Sequence, residues 1–371
     1  MSTTAANAYA SALDLRLPSI ESLWAERAQE QQDLLTKPQG SLGQLEALAI
    51  QLATIQQSGR PLVTPASAII FAADHPVARH GTSAFPVEVT AAMVLNFLSG
   101  GAASSVLAES HGIPLTVVDV GVDTPYPAPQ EGSERYHRYE LEAGDITVEA
   151  ALSEEHFARA LQIGRQHVAA LPEELKLLIL GEMGIGNTTP SAAVASALLG
   201  GELDALVGRG TGISEAQIAL KKELISRALR RWSEERAPEA QSVAGIMRQL
   251  GGRELAAILG AMIEAVERGI PILVDGFIIS VVALALVRLH PAARAFLIFS
   301  HRSQERGHQR VLEAVGATPL LTLGLRLGEA SGALTAYPLL RSACTLHNQM
   351  ATFAEASVPN REDAPKGAAI L

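Results

Sequence analysis

Glu329 stands in a glycine-flanked loop, Gly324-Leu-Arg-Leu-Gly-Glu-Ala-Ser-Gly332, directly after an apolar run. A carboxylate set between leucines loses hydration, which raises its pKa and suits general-base work. A loop glutamate is more commonly exposed, so the residues alone leave both readings open. A stronger signal is Gly181-Glu-Met-Gly-Ile-Gly-Asn-Thr-Thr-Pro190, where Pro190 suits the first turn of a helix and Thr189 its N-cap. Glycines leading into a helix N-terminus expose backbone N–H groups to an anion such as a phosphate, and Glu182 would face the same cavity. A close-packed strand-to-helix turn reads the same way. The spacing is neither Gly-x-Gly-x-x-Gly nor a P-loop, because no lysine follows the last glycine. Gly208-Arg-Gly-Thr-Gly212 is a similar turn. Lys221 follows it as a cation for a phosphate or carboxylate, or as a solvated surface charge. Asp74-His75 and Ser300-His-Arg-Ser303 each follow an apolar run. His301 and His308 are seven residues apart with no adjacent Cys or carboxylate cluster. That disfavours zinc and leaves hydrogen-bonding or cavity-lining roles. No Gly-x-Ser-x-Gly elbow occurs and the single cysteine, Cys344, lies in a helical stretch, so acyl transfer lacks a nucleophile.

These residues need elements to hold them. Apolar runs at 68–71, 115–118, 177–180, 205–207, 272–274, 296–299 and 320–323 each end in a polar or glycine-rich turn, with helix-length segments between them. Strands alternating with helices predict βαβ units and a parallel sheet. Continuous apolar strands predict that both its faces are covered. Ligands of such sheets bind at the carboxyl ends of the strands, where the polar residues above would gather. The first sixty residues read as helical. Ser41-Leu-Gly-Gln44 has the form of a capping box, followed by an apolar stripe of Leu45, Leu48, Leu52 and Ile55. A further helix is expected from Pro338 to Ala356. The two terminal regions would then form a small helical domain, 1–60 plus 336–371, beside an α/β block at 61–335.

Composition narrows the chemistry. With 29 Lys+Arg against 39 Asp+Glu, the net charge of −10 argues against a protein that coats nucleic acid. One cysteine forms no internal disulfide, so nothing points to an oxidising compartment. The most apolar stretch, Gly276 to Val287, falls short of the about 20 residues that a spanning helix requires. The N-terminal MSTTAANAYASALDLRLP lacks a basic region followed by an apolar one. A cytoplasmic protein without a membrane or nucleic-acid partner is expected.

Several segments together resemble one family. Lys37-Pro-Gln-Gly-Ser-Leu-Gly-x-Leu-Glu46, Ala73-Asp-His75, Gly81-Thr-Ser-Ala-Phe-Pro86 and Glu88-Val-Thr90 carry the resemblance. So do Gly181 to Thr189, Asp275-Gly-Phe277, Ser300-His-x-Ser303 and Arg326-Leu-Gly-Glu329. The chain is similar to nicotinate-nucleotide–dimethylbenzimidazole phosphoribosyltransferases from about residue 35 to 355. The resemblance implies an α/β fold with a parallel, Rossmann-like sheet, a small helical domain from both termini, and a homodimer. It implies transfer of ribose 5-phosphate from nicotinate mononucleotide to a benzimidazole-type base, with inversion at the anomeric carbon and no cofactor or metal. Glu329 would take the azole proton. Gly184, Gly186, Asn187 and Thr188 would hold the phosphate, Glu182 would lie near the ribose, and Lys221 would meet the anionic end. Phe85 would lie in the base pocket, and Gly210, Asp275, Gly276, Ser300 and Ser303 would line the cavity. Pro76, Val87 and Ala330 depart from the family pattern. They leave the accepted base open among 5,6-dimethylbenzimidazole, another benzimidazole, adenine or a phenolic ring. Two other readings stand beside this one: a non-catalytic nucleotide-binding homologue or partner subunit, and a dinucleotide-dependent oxidoreductase. The retained Glu329 speaks against the first and the missing Gly-x-Gly-x-x-Gly against the second.

Overall fold

A computed structural model describes residues 9–127, 135–200, 203–208, 214–235 and 237–359. Two compact units emerge: residues 1–18 with 64–336, and residues 19–63 with 337–371.

The larger unit is built on six strands: β1 (Ala66–Ala73), β2 (Leu115–Gly121), β3 (Tyr136–Arg138), β4 (Leu177–Met183), β5 (Ile272–Val274) and β6 (Leu297–Phe299). They form one sheet in the order β3-β2-β1-β4-β5-β6, and every pair is parallel. Strands β1 and β4 are buried along their whole length, as their unbroken apolar runs require. The order reverses direction between β1 and β4. A crevice opens at such a reversal outside the carboxyl ends of the strands. Residues 9–18 belong with this unit: the Arg165 guanidinium donates to the carbonyls of Ala12 and Asp14, and His290 Nε2 lies 2.8 Å from the carbonyl of Leu13.

Two expected strands are absent. Leu203–Leu206 is a short helix, and Leu321 makes only a single bridge to His301. An apolar run shorter than five residues has no distinguishing period, so helix, bridge and strand look alike in sequence. Strand β3 escaped notice for the converse reason: it is a three-residue edge strand, only partly buried and with no apolar run. The segment Val89–His111 is apolar and long enough, by composition, to cross a bilayer. It is folded as two helices, Val89–Leu98 and Ala103–His111, each too short to span one.

The smaller unit contains helices Leu23–Leu34 and Gln44–Gln56. The expected capping box at Ser41 does not form. Gly43 is the N-cap and makes no side-chain cap bond. Glu46 reaches back instead, accepting the Leu42 N–H at 2.9 Å and pairing with the buried Lys37 ammonium at 2.9 Å. A buried cation needs a carboxylate, and that need decides the turn. The last helix runs over Ser331–Gln349, starting and ending seven residues earlier than expected, with Pro338 inside it. It ends where residues 351–352 turn to pair with Leu35 and Thr36.

Candidate active site

One cavity of ≈ 440 Å³ opens at the carboxyl ends of β4, β5 and β6, within the larger unit. Ten residues singled out in the sequence line it: Phe85, Glu182, Gly184, Gly186, Asn187, Thr188, Asp275, Gly276, Ser303 and Glu329. Lys221 stands behind it. The Lys221 ammonium, carried by the helix Glu215–Glu234, donates to Thr188 Oγ1 at 2.6 Å and is buried. Ser300 is also buried behind the wall, with its hydroxyl 3.1 Å from His301 Nδ1. Gly210 lies outside the described residues.

The glycine-rich turn after β4 has a steric cause. A Cβ on Gly184 would overlap the carbonyl of Ala73, and Gly186 has φ +88° with the Ala78 side chain 2.7 Å from where its Cβ would sit. Both positions require glycine. The helix that follows spans Thr188–Leu199, and its N-cap is Asn187 rather than Thr189. The Asn187 amide donates to Glu182, and its side-chain oxygen accepts no first-turn N–H, so the side chain does not cap the helix. No side chain therefore covers the helix N-terminus. Its first-turn N–H groups and the Lys221 ammonium make one end of the cavity electropositive.

Glu329 occupies the wall beside Glu182. It and Ala330 hold left-handed backbone, φ +62° and +65°, just before the helix Ser331–Gln349. Non-glycine residues in that region cost about 1–3 kcal/mol each, and such strain clusters at functional sites. The Glu329 N–H donates to Glu182 Oε1 at 3.3 Å, tying the loop to β4. Glu329 is 8% exposed. Burial pushes its carboxyl up to about 7, with the negative charge of Asp275 adding to the effect.

Two further carboxyls share this wall. Burial raises Glu182 well above the usual range, against the Asn187 hydrogen bond. Asp275 is raised by burial, opposed chiefly by His301, whose Nδ1 lies 3.9 Å from Asp275 Oδ1. The backbone N–H of Ala333 donates to the same Oδ1 at 2.8 Å, so β5 also braces the start of the last helix. Lys221 is shifted the other way: burial lowers it to about 8, opposed by the nearby Glu305.

The third part of the wall is apolar. Phe85 is 52% exposed, and Val89 and Met93 extend the surface from the helix Val89–Leu98. His301 lines the cavity, one of the two roles expected for it, and Glu305, Asn96 and Arg326 line it without having been assigned to it. Arg326 was visible as part of Arg326-Leu-Gly-Glu329, but its side-chain direction was not. Met93 and Asn96 sit on the helix Val89–Leu98, in no motif that the sequence singles out. Asp74-His75 lies outside the cavity: His75 Nε2 is 2.7 Å from Glu254 Oε1, and the buried Arg253 donates to the carbonyls of Asp74 and Leu141 at 2.5 and 2.7 Å. Among the described residues, no three His, Cys, Asp or Glu side chains are placed to hold a metal ion.

A family model described as phosphoribosyltransferase matches residues 17–358. A relative from Bradyrhizobium diazoefficiens, named nicotinate-nucleotide–dimethylbenzimidazole phosphoribosyltransferase, is 47% identical over 93% of this chain and 97% of its own length. A protein of the same name from Pseudomonas putida is 48% identical over 91% and 94%. A crystal structure of CobT from Thermus thermophilus superposes with a TM-score of 0.85 at 39% identity, covering 91% of this chain and 99% of that one.

Proposed function

The chain belongs to the nicotinate-nucleotide–dimethylbenzimidazole phosphoribosyltransferase family, and from that premise we propose how its cavity carries out the transfer. The enzyme moves ribose 5-phosphate from nicotinate mononucleotide to 5,6-dimethylbenzimidazole or a related base. The products are α-ribazole 5′-phosphate, for cobalamin biosynthesis, and nicotinate. The nucleotide phosphate takes the electropositive end, held by Gly184, Gly186, Asn187, Thr188 and the Lys221 ammonium. The planar base takes the apolar end against Phe85, Val89 and Met93, where an aromatic face suits stacking. Glu182 and Asp275 line the wall between these ends, beside the ribose. Gly276 and Ser303 also line the cavity, and Ser300 supports them from behind through His301.

Glu329 takes the N–H proton of the base. The opposite ring nitrogen becomes the nucleophile and bonds to the anomeric carbon as the bond to the pyridinium nitrogen breaks. That electron pair stays on the ring, so nicotinate leaves without needing a proton, and attack from the opposite face inverts the anomeric carbon. A base poised near neutral pH is both ionised and able to accept the proton, and such help contributes about 10²–10⁴ in rate. The rest of the acceleration comes from holding two substrates in line. The observation that carries this reading is the Glu329 carboxyl, buried at the cavity wall on a strained backbone and raised to about 7. The reading includes a cytoplasmic homodimer. The free, buried thiol of Cys344 suits a reducing compartment.

The test is nicotinate release by the purified protein, with nicotinate mononucleotide and a panel of bases. Release only when a base is supplied, with an α-configured product by NMR, is expected. Release without a base would mark a hydrolase and overturn the reading.

A further inference from the structure

His308 lies in the helix Arg306–Ala314 and is fully buried, outside the cavity wall. The backbone N–H of Ser303 donates to its Nδ1 at 2.9 Å, so Nδ1 carries no hydrogen. The ring hydrogen is then on Nε2, which lies 3.0 Å from Ser280 Oγ and donates to it. Burial keeps the ring neutral, lowering its pKa to about 3 with help from His301 and Arg302. The Ser303 hydroxyl also lies 2.9 Å from Nδ1. That nitrogen has one lone pair, however, and the backbone N–H already occupies it. Ser303 Oγ accepts the Glu305 N–H at 3.3 Å, which satisfies one of its acceptor positions. The uncontested outlet for the hydroxyl proton is the cavity, which Ser303 lines.

The position of Ser303 indicates what the proton meets. Glu305 lines the cavity two residues away and acts electrostatically on Lys221, whose ammonium bonds Thr188. Ser303 therefore belongs to the anion-binding end. Ser280 lies in the helix Phe277–Leu289, which begins immediately after Asp275-Gly276, so His308 couples the turns after β5 and β6. We propose that His308 is a positioning residue for the nucleotide: by fixing the Ser303 backbone and anchoring to Ser280, it leaves the Ser303 hydroxyl to donate to an anionic oxygen of that substrate. The identity of the ligand rests on the transferase reading; the hydrogen-bond arrangement does not.

The test uses the whole protein, its affinity for nicotinate mononucleotide by calorimetry, and steady-state constants for both substrates. His308→Gln reaches Ser280 but loses the acceptor at Nδ1, His308→Asn keeps an acceptor near that position, and Ser303→Ala removes the hydroxyl. H308Q and S303A are each expected to weaken nucleotide binding about tenfold, as loss of one charge-assisted hydrogen bond does. In H308Q the loss falls on the KM of the nucleotide and not on the KM of the base, a split that general damage would not give. H308N recovers most of the affinity, and H308Q added to S303A weakens binding by less than about twofold more. The proposal is overturned if H308Q costs as much in the S303A background as in the wild type, or if H308N is no better than H308Q. Failure of the wild type to bind the nucleotide would also overturn it. A wild type that binds the nucleotide but transfers nothing would defeat the transferase reading alone, and the binding cycle would still decide the role of His308.

Discussion

Replacing Glu329 by Gln keeps the shape of the side chain and removes its titration. In the wild type, the carboxyl is raised from 4.5 to about 7 by burial and by Asp275. A raised carboxyl pKa means that the folded state binds this proton more tightly than the unfolded chain does. Its contribution to stability is fully present below the unfolded value and is lost as pH climbs through about 7. The shift of about 2.5 units, at about 1.36 kcal/mol per unit, makes the full loss ~3 kcal/mol, and ~2–3 kcal/mol of it falls between pH 5 and 8.5. E329Q stays neutral throughout. Its stability relative to wild type is therefore expected to rise by that amount over this interval, read from urea unfolding of both proteins at the two pH values. The rate moves the opposite way. E329Q loses about 10²–10⁴ in kcat and lacks the acid limb near pH 7 that the wild-type kcat/KM should show. Such an exchange of stability for activity is common where a site is strained. A stability gap between the two proteins that does not change with pH would refute the reasoning, because a burial-shifted carboxyl must leave that trace.

Three other substitutions probe the surrounding architecture. Lys221→Met removes the buried ammonium at Thr188 and is expected to raise the KM of the nucleotide at least tenfold with little change for the base. In the wild type, nucleotide affinity should weaken as pH rises through about 8, where Lys221 loses its charge, and calorimetry across pH 7–9 checks this. Gly186→Ala forces a side chain onto a backbone with φ +88° and against Ala78, so a loss of about 1–3 kcal/mol in stability and weakened nucleotide binding are expected. Arg253→Met leaves the carbonyls of Asp74 and Leu141 and the Asp123 carboxylate without their buried partner, with an expected cost of about 3–5 kcal/mol in urea unfolding.

The parallel sheet was legible because its central strands are buried on both faces and are spelled as unbroken apolar runs. The cavity was legible in outline, because polar and glycine-rich turns follow those runs and the sheet gathers them at one edge. Local energetics that depend on a distant partner could not be read. The Asn187 side chain turns to Glu182 instead of capping the helix, and Glu46 is drawn back to Lys37 where a capping box at Ser41 was expected. Short elements failed for lack of a period, as at Leu203–Leu206 and Leu321. Residues 9–18 carry no composition signal that assigns them to the sheet-bearing unit; bonds to Arg165 and His290 do so. His308 illustrates the same limit. Its spacing from His301 suggests nothing, and its hydrogen-bond partners in Ser303 and Ser280 appear only after folding.

The measurement that bears most directly on Glu329 as the base compares acceptors with and without a removable proton. With 5,6-dimethylbenzimidazole, the wild-type rate should exceed that of E329Q by about 10²–10⁴. With 1,5,6-trimethylbenzimidazole, which has no ring N–H, the opposite nitrogen attacks without deprotonation, and the two proteins should react at rates within a few-fold of each other. An equally large gap with both acceptors would contradict the account, placing the contribution of Glu329 in binding or orientation rather than in proton removal.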